Sequence, residues 1–221
     1  MLIDFSASTP LQTYKILSNT ITPRPIAWVS TLFPNGNVNL APFSFFAPLS
    51  ANPPILSLCI MQKSDGSQKD TYRNLIDSQR ATISMCDLAH LQDLDSSAQE
   101  LAYNTSEASE FEIDLEILHS DFPPAPKGIQ IAFMCELYDI LELGESKSVL
   151  LLIKSSYIAD NIYTPDLNFL PNFIGRVGRY YKSLGARITF EKPKNKPQES
   201  QEDINEDNNS ISQPQTSLKN E

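Results

Sequence analysis

Apolar positions along the chain fall mostly into short extended runs separated by turn residues. Ile26 to Leu32 (IAWVSTL) reads as a strand, Pro34-Asn35-Gly36-Asn37 as a turn, and Val38 to Phe46 as a second extended run interrupted by Pro42. Asn-Gly between apolar runs is a hairpin signal, because both residues tolerate positive φ. Ala51-Asn52-Pro53-Pro54 turns the chain into Ile55 to Met61, a buried strand. Asp70 is the natural N-cap of a helix with Thr71 and Arg73 in its first turn and Leu75 and Ile76 on its apolar face. Arg80 to Cys86 alternates as a strand. Leu88 to Tyr103 sets Leu91, Leu94, Ala98, Leu101 and Ala102 near a 3.6-residue period, predicting a helix packed on the sheet. Glu107 to Leu118 reads as a connection with a short extended piece, and Phe122 to Pro126 as a rigid bridge. Ile129 to Leu143 and Ser148 to Ile158 form a second long hairpin about Gly144-Glu145-Ser146-Lys147. Leu11 to Leu17 fits either a short helix or the approach to the first strand. The pattern predicts a small antiparallel barrel or sandwich with few helices. Such a sheet carries an unpaired edge that dimerisation would cover.

At 221 residues the chain has room for one domain with a full core, or two small ones. From Glu191 onward aromatic residues vanish and Lys, Asn, Gln, Glu, Asp, Ser and Pro dominate. That stretch cannot bury enough apolar surface to offset its ordering entropy, so the expectation is a domain over residues 1–190 and a disordered tail over 191–221. A net charge of −10 argues against a nucleic-acid binder. No apolar run approaches the ~18–20 residues of a membrane span, and Met1 to Phe5 lacks the features of a signal peptide. Cys59, Cys86 and Cys135 are odd in number, and each lies in an apolar run, so they read as reduced core thiols of a cytoplasmic protein. His90 and His119 stand alone without metal-ligand spacing, and no metal site is expected.

Candidate chemistry concentrates in three places. Pro23 and Pro25 hold Arg24 extended, Trp28 follows, and the return run carries Asn39, Pro42 and Ser44 where a core strand would carry Val or Ile. Short polar groups and open backbone on a rigid edge suit a planar ligand with a polar rim. The helix start at Lys69-Asp70-Thr71 reads either as an anion site, from free N–H groups and the helix dipole, or as a capped surface helix with a chance basic pair. Asn172 to Tyr181, with Gly175, Gly178, Arg176, Arg179 and two tyrosines, reads either as a loop in close approach to a ligand or as a tight closing turn. Its GxxG spacing occurs in an RNA-binding module, but one such match in an acidic chain carries no weight. There is no G-x-S-x-G elbow, no P-loop and no G-x-G-x-x-G fingerprint. An enzyme with so few acid–base candidates makes sense when a cofactor supplies the chemistry.

The runs Pro23-Arg24-Pro25-Ile26-Ala27-Trp28-Val29-Ser30-Thr31 and Asn39-Leu40-Ala41-Pro42-Phe43-Ser44-Phe45-Phe46, followed by Pro53-Pro54 before an apolar strand, resemble the flavin reductase-like family in order and spacing. Lys69-Asp70-Thr71 with Asn74, and Arg176, Gly178 and Tyr181, match further family segments. The resemblance implies a mainly β fold, an FMN-binding split β-barrel, antiparallel and of Greek-key type, with peripheral helices. It implies a homodimer with FMN at the subunit interface, NAD(P)H as electron donor, and a flavin or small molecule as acceptor. It places Trp28 near the ring, Asn39, Ala41 and Ser44 on the polar edge or ribityl chain, and Lys69 and Thr71 on the phosphate. Arg24 would stabilise anionic parts of cofactor or substrate, and Arg176 or Tyr181 would flank the isoalloxazine or the donor. Read from its neighbours alone, Trp28 is a core aromatic. The chain departs from the family at Ser146-Lys147-Ser148 and Leu152 to Ser156, where many members carry a histidine, and that histidine has no heir here. The sequence therefore leaves an electron carrier reduced by a partner protein, or a cofactor-free interaction scaffold, as alternatives to an oxidoreductase.

Overall fold

The computed structural model describes residues 2–144, 146–169, 171–185 and 188. Helix α1 (Pro10–Thr20) leads into strands β1 (Arg24–Pro25), β2 (Ala27–Leu32), β3 (Val38–Phe43), β4 (Phe46–Ala51) and β5 (Pro54–Ile60). Helix α2 (Asp70–Ser78), strand β6 (Arg80–Met85), helices α3 (Leu91–Ser96) and α4 (Glu107–Glu110), and strands β7 (Leu115–Glu116) and β8 (Ala125–Pro126) follow. The long strands β9 (Ile131–Leu143) and β10 (Ser146–Ile158) and the short pair β11 (Ile174–Val177) and β12 (Tyr180–Ser183) complete the described elements.

A seven-stranded sheet runs in the order β3-β2-β6-β9-β10-β5-β4, and every pairing in it is antiparallel. Alternation along β2 sends Ala27 and Val29 to one face and Trp28 to the other. The first face closes on itself: Phe43 of β3, Phe46 of β4 and Leu56 and Leu58 of β5 share one core cluster with Val29, Ile83, Cys135 and Val149. Strands at opposite ends of the sheet order thus meet across one interior, as in a split barrel. The second face buries Trp28, Leu40 and Ala132 under Leu94 of α3, Ala108 of α4, Ile113 and Ile129. Burial of both faces explains why β2 lacks an apolar–polar alternation.

Several local expectations change. Thr9 and Gln12 form a capping box with Pro10 at the first helical position, so the leader is a helix through Thr20. The β2–β3 turn needs positive φ only at Gly36, with Gly36 N–H bonded to the Phe33 carbonyl. The extended run expected to continue to Phe46 changes partners after Phe43, because β4 pairs with β5 instead. Asp70 is not the N-cap: Lys69 occupies that position without a side-chain cap, and Asp70 turns to Lys63 Nζ at 3.1 Å. The helix expected over Leu88–Tyr103 is a 3-10 turn, Leu88–His90, followed by α3, which stops at Ser96. Ser97 stops it by folding its hydroxyl onto the Leu94 carbonyl while accepting the Trp28 indole N–H at 2.9 Å. The segment read as a ligand-approaching loop or a tight closing turn is the β11–β12 hairpin, residues 174–183, closed tightly at Gly178.

By contacts the chain divides into Met1–Gly185 and Ala186–Glu221. The tail expected over 191–221 lies outside the described residues.

Arg24 fastens a separate three-stranded sheet, β1-β11-β12. Its side chain is 6% exposed and donates to the Ser44 hydroxyl (3.3 Å), the Ser18 carbonyl and the Gly178 carbonyl (3.4 Å). Gly178 N–H also reaches the Ser18 carbonyl at 2.8 Å, and Gly178 sits at φ +53°, a conformation open to glycine at little cost. Arg24→Met keeps the apolar stem but removes the guanidinium donors to Ser44 and to the Ser18 and Gly178 carbonyls, leaving Ser18 only the Gly178 N–H. The expected loss is about 2–4 kcal/mol in urea unfolding, with new protease sensitivity in the β11–β12 hairpin; an unchanged midpoint would show that the guanidinium is not the fastener.

Candidate functional site

Two confluent hollows lie where β3, α2 and the β11–β12 hairpin approach one another. The first, about 200 Å³, is walled by Tyr14 of α1, the Pro42–Phe45 segment, Cys59 and Met61 at the end of β5, and Arg176 and Tyr181. The second, about 70 Å³, is polar and lies at the start of α2, where Asn39, Lys63, Asp70, Thr71, Glu100 and Glu107 face it. Pro42, Phe43, Lys69 and Ala98 line both, so the two form one continuous trough.

Of the residues singled out in the sequence, Ser44, Lys69, Arg176 and Tyr181 line the first hollow, and Asn39, Ala41, Lys69 and Thr71 the second. Arg24 and Trp28 line neither. Trp28 has no exposed surface, and its indole is bonded to Ser97 beneath α3, so it supports the site from the core instead of flanking a ring. Arg24 lies behind Ser44, held by backbone carbonyls; burial lowers its pKa from the ordinary value, yet an arginine remains cationic at neutral pH. Cys59, expected in the core, is half-buried on the first hollow. Cys86 and Cys135 are buried as expected, and burial pushes both thiols up to about 12, which makes them unreactive.

A buried polar network positions the second hollow. Asn39 Nδ2 donates to Thr31 Oγ1 (3.1 Å) and Thr71 Oγ1 (2.9 Å), and Asn74 Nδ2 donates to the same Thr31 oxygen (3.1 Å). Because Thr71 accepts from Asn39, its own hydroxyl proton is left to donate into the pocket. No side chain caps the start of α2, and the first amides of a helix have no intrahelical partner. On the other side, Glu107 Oε2 accepts the Leu40 N–H at 2.9 Å, and Ser106 Oγ donates to the Val38 carbonyl at 2.6 Å. The start of α4 thereby satisfies the outer edge of β3.

In the first hollow the Arg176 guanidinium stacks 4.1 Å from the Tyr181 ring centroid, and Tyr14 stacks on Phe45 at 5.8 Å. Tyr181 donates its hydroxyl to Asp95 at 2.7 Å; burial, together with that bond, pushes the phenol up to about 12. It is therefore a wall and not a proton donor at neutral pH. His90 faces neither hollow, its ring nitrogens meeting Asp87 at 2.7 Å and the Lys127 carbonyl at 3.1 Å. Among the described residues no His, Cys, Asp and Glu grouping suits a metal ion.

These donors fit a flavin mononucleotide. Lys69, the Thr71 hydroxyl and the open amides of α2 make an anion cradle, and the aromatic and proline walls of the adjoining hollow suit a planar ring. Asp70, 6% exposed, holds one carboxylate oxygen without a partner, an acceptor that a ribityl hydroxyl would satisfy. Sequence reasoning missed Tyr14, Lys63, Glu100 and Glu107. Only the polar Lys63–Gln68 loop ahead of the helix signalled any of them; nothing local to Glu107 marks it as buried.

Glu107 is 5% exposed, and burial pushes its pKa above the ordinary 4.5. The folded chain then holds this proton to higher pH than the unfolded chain does. The contribution is complete below pH 4.5 and is lost as pH rises from there through the raised folded value. Glu107→Gln keeps a carbonyl for Leu40 and cannot ionise. Urea midpoints measured across that window should fall less with pH in the variant than in the parent; parallel curves would show that Glu107 is not the group responsible.

Residues 19–175 match the model of the flavin reductase like domain. The uncharacterised protein YwrF of Bacillus subtilis is 29% identical over 192 residues, covering 82% of this chain and 93% of that one. Among solved structures, nitrilotriacetate monooxygenase component B from Bacillus cereus superposes with a TM-score of 0.78 at 26% identity, covering 86% of this chain and 98% of the other. The 2-nitrobenzoate 2-nitroreductase of Pseudomonas fluorescens superposes with a TM-score of 0.79 at 25% identity, covering 90% and 100%. With the family model matching residues 19–175, well over half of the chain, this chain belongs to the flavin reductase-like domain family.

Proposed function

We propose that the chain is an FMN-dependent oxidoreductase, taking hydride from NAD(P)H and passing electrons to flavin or a small acceptor. The observation that carries this reading is an aromatic-walled hollow that shares Pro42, Phe43, Lys69 and Ala98 with a polar pocket holding Lys69 and Thr71 at an uncapped helix start. Two structural neighbours carry the names of redox enzymes, a monooxygenase component and a nitroreductase. Lys69, Thr71 and the first amides of α2 bind the phosphate, Asn39 and Asp70 meet the ribityl hydroxyls, and Ala41 and Ser44 meet the polar edge of the ring. Arg176, braced by Tyr181, flanks the ring or the incoming donor. The bound flavin supplies hydride acceptance and electron transfer; the protein orients it and sets the charge around it.

No histidine or carboxylate stands among the residues lining the first hollow. That favours one second reading, an electron carrier whose flavin is reduced by a partner protein. The proposal includes a homodimer, supported by the exposed Tyr138, Leu141 and Leu143 toward the end of β9.

Titrating FMN fluorescence with the protein, then adding NADH or NADPH without oxygen, separates these readings. Quenching followed by bleaching of the 450 nm band (about that wavelength for any flavin) is expected. Reduction by dithionite alone would replace the oxidoreductase with the carrier, and unquenched fluorescence would overturn both. Lys69→Ala should weaken FMN about tenfold.

A further inference from the structure

Lys69 is the cation common to both hollows, and in this chain it is already engaged. Glu100 Oε1 lies 3.6 Å from its Nζ. The carboxylate is held there by Ser64, whose hydroxyl donates to Oε2 at 2.8 Å and whose N–H donates to Oε1 at 3.4 Å. The Ser64 hydroxyl bond, with Lys69 adding to it, holds the Glu100 carboxyl below the ordinary carboxylate range, so it is ionised at neutral pH. Beside it Lys63 Nζ donates to the Leu101 carbonyl at 3.4 Å, which ties the Lys63–Gln68 loop to the Glu100–Leu101 segment across the polar pocket.

The other cation of the pocket is not free to substitute. Lys63 pairs with Asp70 at 3.1 Å, and both side chains are largely buried. An anion entering at the start of α2 therefore meets Lys69 with the Glu100 carboxylate already beside it. The tie between them matters little for folding: the two side chains are 29% and 40% exposed, and exposed pairs contribute little net stability. It matters for the potential that an arriving dianion meets.

We infer that Glu100 is a built-in competitor for the phosphate of the cofactor, and that this competition keeps the flavin exchangeable. The inference rests on the flavin reading above. An exchangeable flavin is a substrate that arrives oxidised and leaves reduced, whereas a permanently held one is a relay to another acceptor. Glu100 places this chain with the former.

The test compares FMN with riboflavin, which presents the same ring and ribityl chain but no phosphate. Equilibrium fluorescence titrations are run on the full chain and on Glu100→Gln, which keeps an acceptor for Ser64 and removes the charge. The FMN dissociation constant should fall about tenfold while that of riboflavin stays within about twofold. Ser64→Ala, which releases the carboxylate from its anchor, should tighten FMN in the same sense by a smaller factor. An unchanged FMN affinity in Glu100→Gln, or equal shifts for FMN and riboflavin, would overturn the competitor role while leaving the flavin site intact. Binding of neither flavin by either protein would overturn the flavin reading, and this inference with it.

Discussion

A buried guanidinium without a carboxylate partner holds the wall of the site in place. Removing such a group from water costs several kcal/mol, and none of the ion pairs among the described residues involves Arg24. What compensates is the last turn of α1, where the Ser18 carbonyl accepts from both Arg24 and Gly178. The C-terminal end of a helix has carbonyls without intrahelical partners and a partial negative charge, so it suits a cation. The register carries this anchor into the site. Arg24 stands opposite Arg176 across β1 and β11, and Arg176 stands opposite Tyr181 across β11 and β12. Arg24, Arg176 and Tyr181 thus form one row, buried at one end and facing the first hollow at the other.

The opposite wall is organised by neutral hydrogen bonds. Thr31, Asn39, Thr71 and Asn74 come from two strands and a helix and share buried donors and acceptors. The shared Thr31 and Thr71 oxygens tie the two strands and the helix together, although Asn74 Oδ1 lies buried without a partner. The network fixes the α2 start relative to β3 and leaves the Thr71 hydroxyl with a proton to donate. One wall is therefore set by a charge and the other by a polar network, and neither relies on a flexible side chain for position.

The strands were legible in the sequence because their apolar runs and turn residues agree at every step. β2, β5, β6, β9 and β10 lie within a few residues of the expected bounds. The errors occur where side-chain bonding outweighs periodicity. Leu91, Leu94, Ala98, Leu101 and Ala102 keep a helical period, but the chain leaves the helix at Ser97, whose hydroxyl is claimed by Trp28. Asp70 has the composition of a cap, yet Lys63, seven residues earlier, offers a better partner. The site residues were found from motif order, and those missed share one property. Tyr14 and Glu100 lie in runs whose apolar spacing speaks only for packing, and Glu107 in a connection, and only the tertiary fold brings the three to the hollows.

The site's chemistry follows from what it lacks as much as from what it holds. The first hollow presents Ser44, Lys69, Arg176 and a phenol whose pKa burial pushes up to about 12, and no histidine or carboxylate lines it. Such a lining controls position and charge and leaves bond-making to whatever it binds. The second hollow does the opposite, crowding Asp70, Glu100 and Glu107 around two lysines. A pocket built only for tight retention of a dianion would minimise nearby carboxylates, since each one opposes the incoming charge. Burial raises the Glu107 pKa above its ordinary value, and Asp70 is offset by Lys63. Glu100 stands at the lip 3.6 Å from Lys69 Nζ, its carboxyl held below the ordinary range. The balance of the pocket therefore turns on the one carboxylate that is exposed enough to move.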